Sequence, residues 1–364
     1  MFNPSRLTLA RQRRGLSSRA LAEMAGITPV TLSRIENGKN APEPDTVRKL
    51  TLTLDFPEEF FFGETCEAPS PEGVSFRSMS SMTARERDSS RAAAPFAYMV
   101  QDWVDARFNL PQPDLLDLST ERDPAAAARA LREHWTLGEQ PISHMIKLME
   151  SKGIRVFSLA EETLRVDGYS CWRDNTPYIF LNTMKSAERS RFDCAHELAH
   201  LVLHRHGGPG QGKQAEVEAQ QFAASFLMPE ADVRAKLPFV TSLDQIVQAK
   251  KRWGVSVSAL AYRLHKLKTL SDWQYRGTVI ELGKRGYRTT EPHPLEREES
   301  AVWKMVLEDL WRDRLTKLEI AKALGLPPME VEKLLFGLLQ SPSSGSTLRP
   351  EKSPKLRVVS STGR

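Results

Sequence analysis

The five residues His196-Glu197-Leu198-Ala199-His200 are the part of the sequence whose types and spacing best fit a chemical reaction. The flanking residues 192–195 and 201–203 contain no glycine or proline, so the segment is expected to be helical. Residues four apart share one face of a helix, so both imidazoles could bind one Zn²⁺ ion. Glu197 is offset from that face and could act as the general base that activates a water molecule. The motif is a zinc-protease signature when it lies on a helix, although the bare pattern also occurs by chance.

A zinc site needs a third protein ligand, and the sequence offers two schemes. In the first scheme the helix ends after the second histidine, and His206, six residues further on, closes the site. That scheme requires a glycine where the chain has Leu203, which is expected to continue the helix. In the second scheme a glutamate on the following helix is the third ligand.

The segment 216–228 is expected to form that following helix, after a glycine-rich loop at 207–212. Glu218 lies one turn before the apolar Phe222, so it can point inward, near the metal. A solvated glutamate close to the positive end of the helix dipole is the other interpretation, and Glu216 fits it better.

The sequence here resembles the ImmA/IrrE metallopeptidases. The resemblance depends on the motif 196–200, on the segment Glu218-Ala219-Gln220-Gln221-Phe222-Ala223-Ala224, and on Leu227-Met228-Pro229, and it extends over roughly residues 140–270. In that family the glutamate directly before Ala-Asn-x-Phe is the third zinc ligand, which implies His196, His200 and Glu218 as ligands and Glu197 as the catalytic base. Gln220 stands where the family usually has asparagine.

The N-terminal residues carry a second and independent signal. The segment 17–26 is typical of a short helix that ends in glycine. In the segment 27–38, Thr28 is expected to cap a helix, Pro29 to occupy its first position and Gly38 to end it. Two short helices across a glycine turn form a helix-turn-helix, whose second helix enters the major groove of DNA.

This region resembles the Cro/C1-type (XRE) repressor domains, especially in the segment 33–39. Arg34 could recognise guanine and Val30 a thymine methyl group, while polar side chains around them could contact phosphates. Arg11 and Glu36 match a buried ion pair of those domains and are interpreted as structural. The residues expected to contact DNA are Ser18, Thr28, Pro29, Val30, Thr31, Ser33, Arg34, Asn37 and Lys39.

The charge and composition of the sequence agree with an N-terminal DNA-binding domain in a chain without disulfides or membrane spans. The first fifty residues hold nine Lys or Arg and four Asp or Glu, and this excess of five positive charges equals the net charge of the whole chain. Three scattered cysteines do not suggest a disulfide framework. No segment resembles a signal peptide or a membrane span, so a cytoplasmic protein without a membrane partner is expected.

The expected fold is α+β and mostly helical. It comprises a five-helix DNA-binding bundle at 1–65, a linker and helical connector at 66–124, and a zincin-like peptidase domain with a small three-stranded sheet at 125–270. A helical C-terminal region at 271–340 and a disordered tail at 341–364 follow. Within the C-terminal region, residues 320–335 have helix-turn-helix spacing, but Glu330 and Glu332 disfavour DNA and favour a packing or partner role.

The sequence therefore predicts a transcriptional regulator that carries a zinc metalloendopeptidase domain. The resemblance suggests a repressor protein as the substrate, and the expected partners are a double-stranded DNA operator, that substrate and, as a further candidate, a second copy of the chain. The alternative is a transcription factor whose zincin-like domain senses a metal or ligand without proteolysis. A third arrangement has the protein cleave itself or its DNA-bound neighbour.

Overall fold

The computed structural model describes residues 1–69, 83–159, 168–205, 212–335 and 337–339. Their architecture is mostly helical with one small three-stranded sheet, which confirms the α+β prediction. Among the described residues, no helix is both long and apolar enough to cross a membrane. The tail 341–364, expected to be disordered, lies outside the described residues.

The N-terminal bundle contains four α-helices and one 3₁₀ turn. The helices are α1 (Pro4–Arg13), α2 (Ser18–Ala25), α3 (Pro29–Glu36) and α4 (Pro44–Leu54), and the turn spans Glu58–Phe62. The fifth element is thus shorter than the α-helix that was expected. Ser17 caps α2 by accepting a hydrogen bond from the backbone N–H of Ala20 at 3.1 Å. Gly26 ends that helix with φ of 63°, a left-handed conformation that suits glycine.

Four connecting helices lead to the sheet: α5 (Ala84–Arg91), α6 (Ala93–Asp105), α7 (Pro124–His134) and α8 (Met145–Ser151). The strands are β1 (Arg155–Ser158), β2 (Gly168–Arg173) and β3 (Thr176–Leu181), in the order β1-β3-β2. β3 pairs parallel with β1 and antiparallel with β2. The tight turn between β2 and β3 places Asp174 at φ of 52°. The sequence predicts strands at 154–159, 166–172 and 178–181, and residues 166 and 167 of the second lie outside the described residues.

The motif helix α9 (Ala187–Leu203) packs against β2 and β3. It is followed by α10 (Lys213–Leu227), α11 (Glu230–Lys236), α12 (Leu243–Trp253) and α13 (Val257–Lys266). α10 packs along α9, the helix that carries the His196–His200 motif. Phe222 and Phe226 of α10 are fully buried, as their apolar spacing predicts.

The C-terminal region contains α14 (Asp272–Lys284), α15 (Ala301–Arg312), α16 (Lys317–Leu324) and α17 (Pro328–Leu335). Gly325 turns between the last two helices with φ of 62°. α17 packs on α6 and β1, and α16 also packs on α6. The last two helices therefore contact both the connector and the edge of the sheet, in agreement with the packing role favoured by the sequence.

A buried ion cluster joins this C-terminal pair to the N-terminal bundle. The Glu330 side chain is fully buried and receives hydrogen bonds from Arg13 Nε at 2.7 Å and from the Arg14 guanidinium. Arg14 also donates to the carbonyl groups of Leu54 and Asp55 at the end of α4. One carboxylate thus ties α1 and α4 of the N-terminal bundle to α17. We call Arg13, Arg14 and Glu330 the Glu330 cluster.

Candidate metal centre and DNA-binding surface

The helix that carries the motif is well determined by its own sequence. Ser186 caps it by accepting a hydrogen bond from the backbone N–H of Arg189, and no glycine or proline interrupts its 17 residues. His196, Glu197 and His200 are all buried. A buried polar triplet of this kind costs free energy unless its groups are bonded or bind an ion.

Three donor groups converge between α9 and α10. The Nε2 atoms of His196 and His200 lie 3.1 Å apart. The Glu216 carboxylate places one oxygen 3.3 Å from His196 Nε2 and the other 3.6 Å from His200 Nε2. Ligands of a tetrahedral Zn²⁺ with bonds of about 2.0–2.1 Å are separated by roughly 3.3–3.4 Å. The observed separations therefore fit one zinc ion shared by two imidazoles and a carboxylate.

The structure does not bring Glu218 to this pair of histidines, which differs from the ligand set that the resemblance implies. Residues two apart on a helix point about 160° away from each other, so Glu216 and Glu218 cannot both face the same ion. In the observed register Glu216 faces His196 and His200. His206, the other candidate considered, lies outside the described residues.

Glu218 instead contacts His204, which in turn contacts His200 of the candidate zinc site. Its carboxylate lies 3.0 Å from His204 Nε2 and accepts a hydrogen bond from Gln214 at 2.8 Å. Partial burial raises the pKa of Glu218, and these two hydrogen bonds outweigh it, so the pKa lies below its ordinary value. The other ring nitrogen of His204, Nδ1, lies 3.0 Å from Nδ1 of His200. The chain Glu218–His204–His200 therefore orients the second histidine of the motif.

Glu197 lies about 80° around α9 from the centre of the histidine face, on the side that packs against β2. Ser170 of β2 donates its hydroxyl proton to the Glu197 carboxylate at 2.9 Å, and Ser170 is itself buried. Gly168, two residues earlier on the same face of β2, permits this close approach. A Cβ atom there would lie 2.7 Å from the carbonyl oxygen of Phe180 and 3.8 Å from Glu197 Cγ. Ser170 was not among the residues predicted from the sequence, because its only signal there is a hydroxyl group on a strand expected to be buried.

The DNA-binding candidates lie mostly on one exposed surface. The exposed residues of the recognition helix α3 include Val30, Ser33 and Arg34, while Leu32 and Ile35 are buried in the bundle. Lys39 is exposed just beyond the helix. The full candidate set that is exposed comprises Thr28, Pro29, Val30, Thr31, Ser33, Arg34, Asn37 and Lys39, and Ser18 is half-buried.

Some of these side chains also stabilise the recognition helix. Thr28 accepts a hydrogen bond from the backbone N–H of Thr31, as its capping position predicts. Asn37 donates its amide to the carbonyl oxygen of Ser33 at 2.7 Å. Arg11 and Glu36 form an ion pair at 2.5 Å, in the structural role expected of them. The recognition helix is therefore held at both ends while its outer face remains exposed.

Comparison with protein families agrees with both halves of this description. Residues 7–61 match the helix-turn-helix family model, and residues 149–265 match that of the IrrE N-terminal-like domain, a peptidase family. No curated protein matches the chain significantly. The chain therefore joins an XRE-type helix-turn-helix domain to a metallopeptidase-family domain of the ImmA/IrrE type.

Proposed function

We propose that the protein is a cytoplasmic transcriptional regulator whose second domain is a zinc metalloendopeptidase that cleaves a repressor protein. The observation that carries the proposal is the convergence of His196, His200 and Glu216, with donor atoms 3.1–3.6 Å apart. This spacing suits one zinc ion. The helix-turn-helix and peptidase-family matches support the pairing of DNA binding with proteolysis.

We assign the third zinc ligand to Glu216 and an orienting role to Glu218. Glu216 approaches both motif histidines, whereas Glu218 is bonded to His204 and Gln214. Outer partners of ligating histidines fix the orientation of the ring and tune its basicity. Both glutamates would then contribute to zinc affinity, but only the loss of Glu216 would remove a zinc ligand.

The buried carboxylate of Glu197 is proposed to accept a proton during peptide hydrolysis. Zn²⁺ bound in such a site polarises a carbonyl group and makes a water molecule more acidic. Ser170 holds one oxygen of Glu197 by a 2.9 Å hydrogen bond, which fixes the direction in which the carboxylate points. The antiparallel strand β2 beside it is a candidate for holding an extended peptide by strand addition.

On the DNA side, we propose that α3 enters the major groove and that Arg34 and Val30 contact base edges. The exposure of both side chains supports this assignment. Lys39, beyond the helix end, is proposed to contact a phosphate. An operator of two half-sites would require a dimer of the chain.

A metal-sensing transcription factor without proteolysis is the second candidate, and the Glu330 cluster favours it. This cluster connects the helix-turn-helix bundle to helix α17, which also packs on β1 of the peptidase-family domain. Occupancy of the zinc site could thereby alter DNA affinity. Zinc-dependent operator binding without cleavage of any protein would support this candidate.

The zinc site is tested by elemental analysis of dialysed protein. We expect about one zinc per chain in the natural protein. Glu216→Ala should lose the metal, while Glu218→Ala should retain it with an affinity lowered about 10- to 100-fold. His206→Ala, the control for the other ligand scheme, should retain it fully. Loss from Glu218→Ala with retention by Glu216→Ala would reverse the assignment of the two glutamates.

The proteolytic function is tested with Glu197→Gln, which should bind zinc but not cleave. Used as bait in cell extracts, this variant should retain a DNA-binding repressor that the natural protein degrades in a purified assay. The matched control is Glu133→Gln, a substitution of the same chemistry in α7. Unchanged cleavage by Glu197→Gln would remove Glu197 from the mechanism.

A further inference from the structure

Four arginines in and beside the first two helices are paired with carboxylates in the folded protein. The Glu330 cluster contains two of them, at the end of α1. Arg11 of α1 pairs with Glu36 of α3. Arg19 of α2 pairs with Glu23 at 2.9 Å, one turn further along the same helix. The positive charge that the sequence places in these two helices is therefore mostly offset within the protein itself.

Arg85, on the connecting helix α5, brings a further positive charge to the turn between α1 and α2. α5 packs on α1, and Ser89 of α5 donates a hydrogen bond to the carbonyl oxygen of Arg13 at 3.1 Å. Arg85 lies over Gly15, because a Cβ atom at Gly15 would be 3.8 Å from Arg85 Cγ and 4.0 Å from its Nε. Arg85 is outside residues 7–61, the part of the chain that matches the helix-turn-helix family model.

The guanidinium group of Arg85 is not engaged by the protein. Arg85 is exposed, and it makes no hydrogen bond or ion pair with the part of the chain that the structure describes. The neighbouring Glu86 accepts hydrogen bonds from the backbone N–H and the hydroxyl of Thr83, which caps α5. An arginine side chain presents five N–H donors in a planar fork that suits the oxygen atoms of a phosphate.

The turn that Arg85 covers leads directly into α2. Ser18, the first residue of α2, follows Gly15 by three positions and is among the residues expected to contact a phosphate. Three residues of extended chain span at most about 11 Å. In a helix-turn-helix the first helix crosses the DNA backbone while the second helix lies in the major groove. Arg85 is therefore close to the start of the helix that would cross the backbone.

We propose that Arg85 contacts a DNA phosphate beside the start of α2, so that α5 extends the DNA-binding surface beyond the helix-turn-helix domain. The inference rests on the proposed DNA-binding function. The contact adds affinity without sequence preference, because every base pair carries the same phosphate groups. It also makes DNA affinity depend on the docking of α5 on α1, which includes the hydrogen bond from Ser89 to Arg13.

The contact is tested by the salt dependence of DNA binding by the full-length protein. Fluorescence anisotropy gives the affinity for a selected operator and for a scrambled duplex over a series of salt concentrations. Each neutralised phosphate contributes about 0.9 to the slope of log affinity against log salt. Arg85→Gln should reduce the magnitude of that slope by about 0.9 per bound chain on both duplexes. Between about 1 M and 0.1 M salt, this change in slope weakens binding about 8-fold relative to the natural protein.

Arg85→Lys should keep the slope, because it keeps the charge. Arg129→Gln is the matched control, because Arg129 is exposed on α7, which packs on α10 of the peptidase-family domain. It should leave both affinities and the slope unchanged.

Two results would overturn the contact while the proposed DNA binding stands. One is an unchanged slope for Arg85→Gln when the natural protein binds its operator. The other is a loss of affinity confined to the operator, which would indicate a base contact instead of a phosphate contact. The absence of any DNA binding by the natural protein would overturn both this inference and the proposed DNA-binding function.

Discussion

Replacing the buried Glu330 by glutamine should destabilise the protein strongly, because the carboxylate faces two guanidinium groups. The Arg13 side chain is 4% exposed, so its charge would remain buried without the Glu330 carboxylate, and it would keep a hydrogen bond to the carbonyl oxygen of Ser89 at 3.4 Å. Arg14 would keep its bonds to Leu54 and Asp55. Breaking a buried pair by removing one partner typically costs about 3–5 kcal/mol. Because Arg14 retains other acceptors, we expect Glu330→Gln to lower the free energy of unfolding by about 3 kcal/mol, the lower end of this range.

The assay is urea denaturation at pH 7, with Glu332→Gln as the matched control. Glu332 lies on the same helix and is exposed, so its substitution should change the free energy of unfolding by less than about 0.5 kcal/mol. The double variant Arg13→Gln/Glu330→Gln should be less destabilised than the sum of the two single variants, since the buried charges of Arg13 and Glu330 are removed together and neither of these two is left facing a neutral partner. Equal midpoints for Glu330→Gln and Glu332→Gln would refute the reasoning.

The same cluster predicts a pH dependence. Burial raises the pKa of Glu330, and Arg13 and Arg14 outweigh it, so the pKa lies below its ordinary value of 4.5. A carboxyl group whose pKa is lower in the folded state stabilises the protein above its unfolded pKa. That stabilisation is lost as the pH falls through the folded value. Glu330→Gln should therefore remove part of the acid sensitivity of the natural protein.

Three further outcomes are expected. Burial raises the pKa of Glu150 to about 7. The protonated group therefore stabilises the protein below about pH 4.5, its ordinary pKa, and that stabilisation is lost as the pH rises through 7. Between pH 5 and 8 the free energy of unfolding of the natural protein should fall by about 3 kcal/mol more than that of Glu150→Gln, as measured by denaturation at the two pH values. Ser170→Ala should lower kcat for peptide cleavage about 10-fold with unchanged zinc content, and an unchanged kcat would exclude its positioning role. Arg34→Ala should weaken operator binding by about 1–3 kcal/mol and relax specificity at one base, whereas Lys39→Ala should weaken binding to operator and scrambled DNA equally and reduce its salt dependence. Equal losses on both duplexes for Arg34→Ala would contradict base recognition.

The parts of the fold that sequence reasoning predicted are those specified by neighbouring residues. The helix-turn-helix follows from a cap at Thr28, a proline at the first helical position and left-handed glycines. The motif helix follows from an uninterrupted run of helix-compatible residues around His196 and His200. Local capping and periodicity act within a few residues, so they can be read from a single sequence.

The choice between Glu216 and Glu218 could not be made in this way. Both stand in the first turns of α10, and a change of register by half a turn would exchange their roles. That register depends on how α10 packs along α9, which involves buried Phe222 and Phe226 as well as α7. Ser170 was missed for a related reason, because its contact with Glu197 spans 27 positions.

The C-terminal helices show the same limit over a longer distance. The acidic residues of α17 argued against DNA contact, and that inference used only local sequence. The actual partners of Glu330 are the last residue of α1 and the residue that caps it, more than 300 positions away in the chain. No local pattern links these residues, because Arg13 and Arg14 look like ordinary basic residues of a DNA-binding bundle.

The length of chain between Arg13 and Glu330 also has a consequence during synthesis. The two residues are separated by 317 positions. At about 5–20 residues per second, a ribosome takes about 15 s to 1 min to make the intervening chain. Throughout that time the newly made DNA-binding bundle exists without its carboxylate partner, while its own local contacts are complete. A chain released before α17 is made therefore carries a helix-turn-helix that lacks this ionic link to the C-terminal helices and keeps its contacts with α5 and α6.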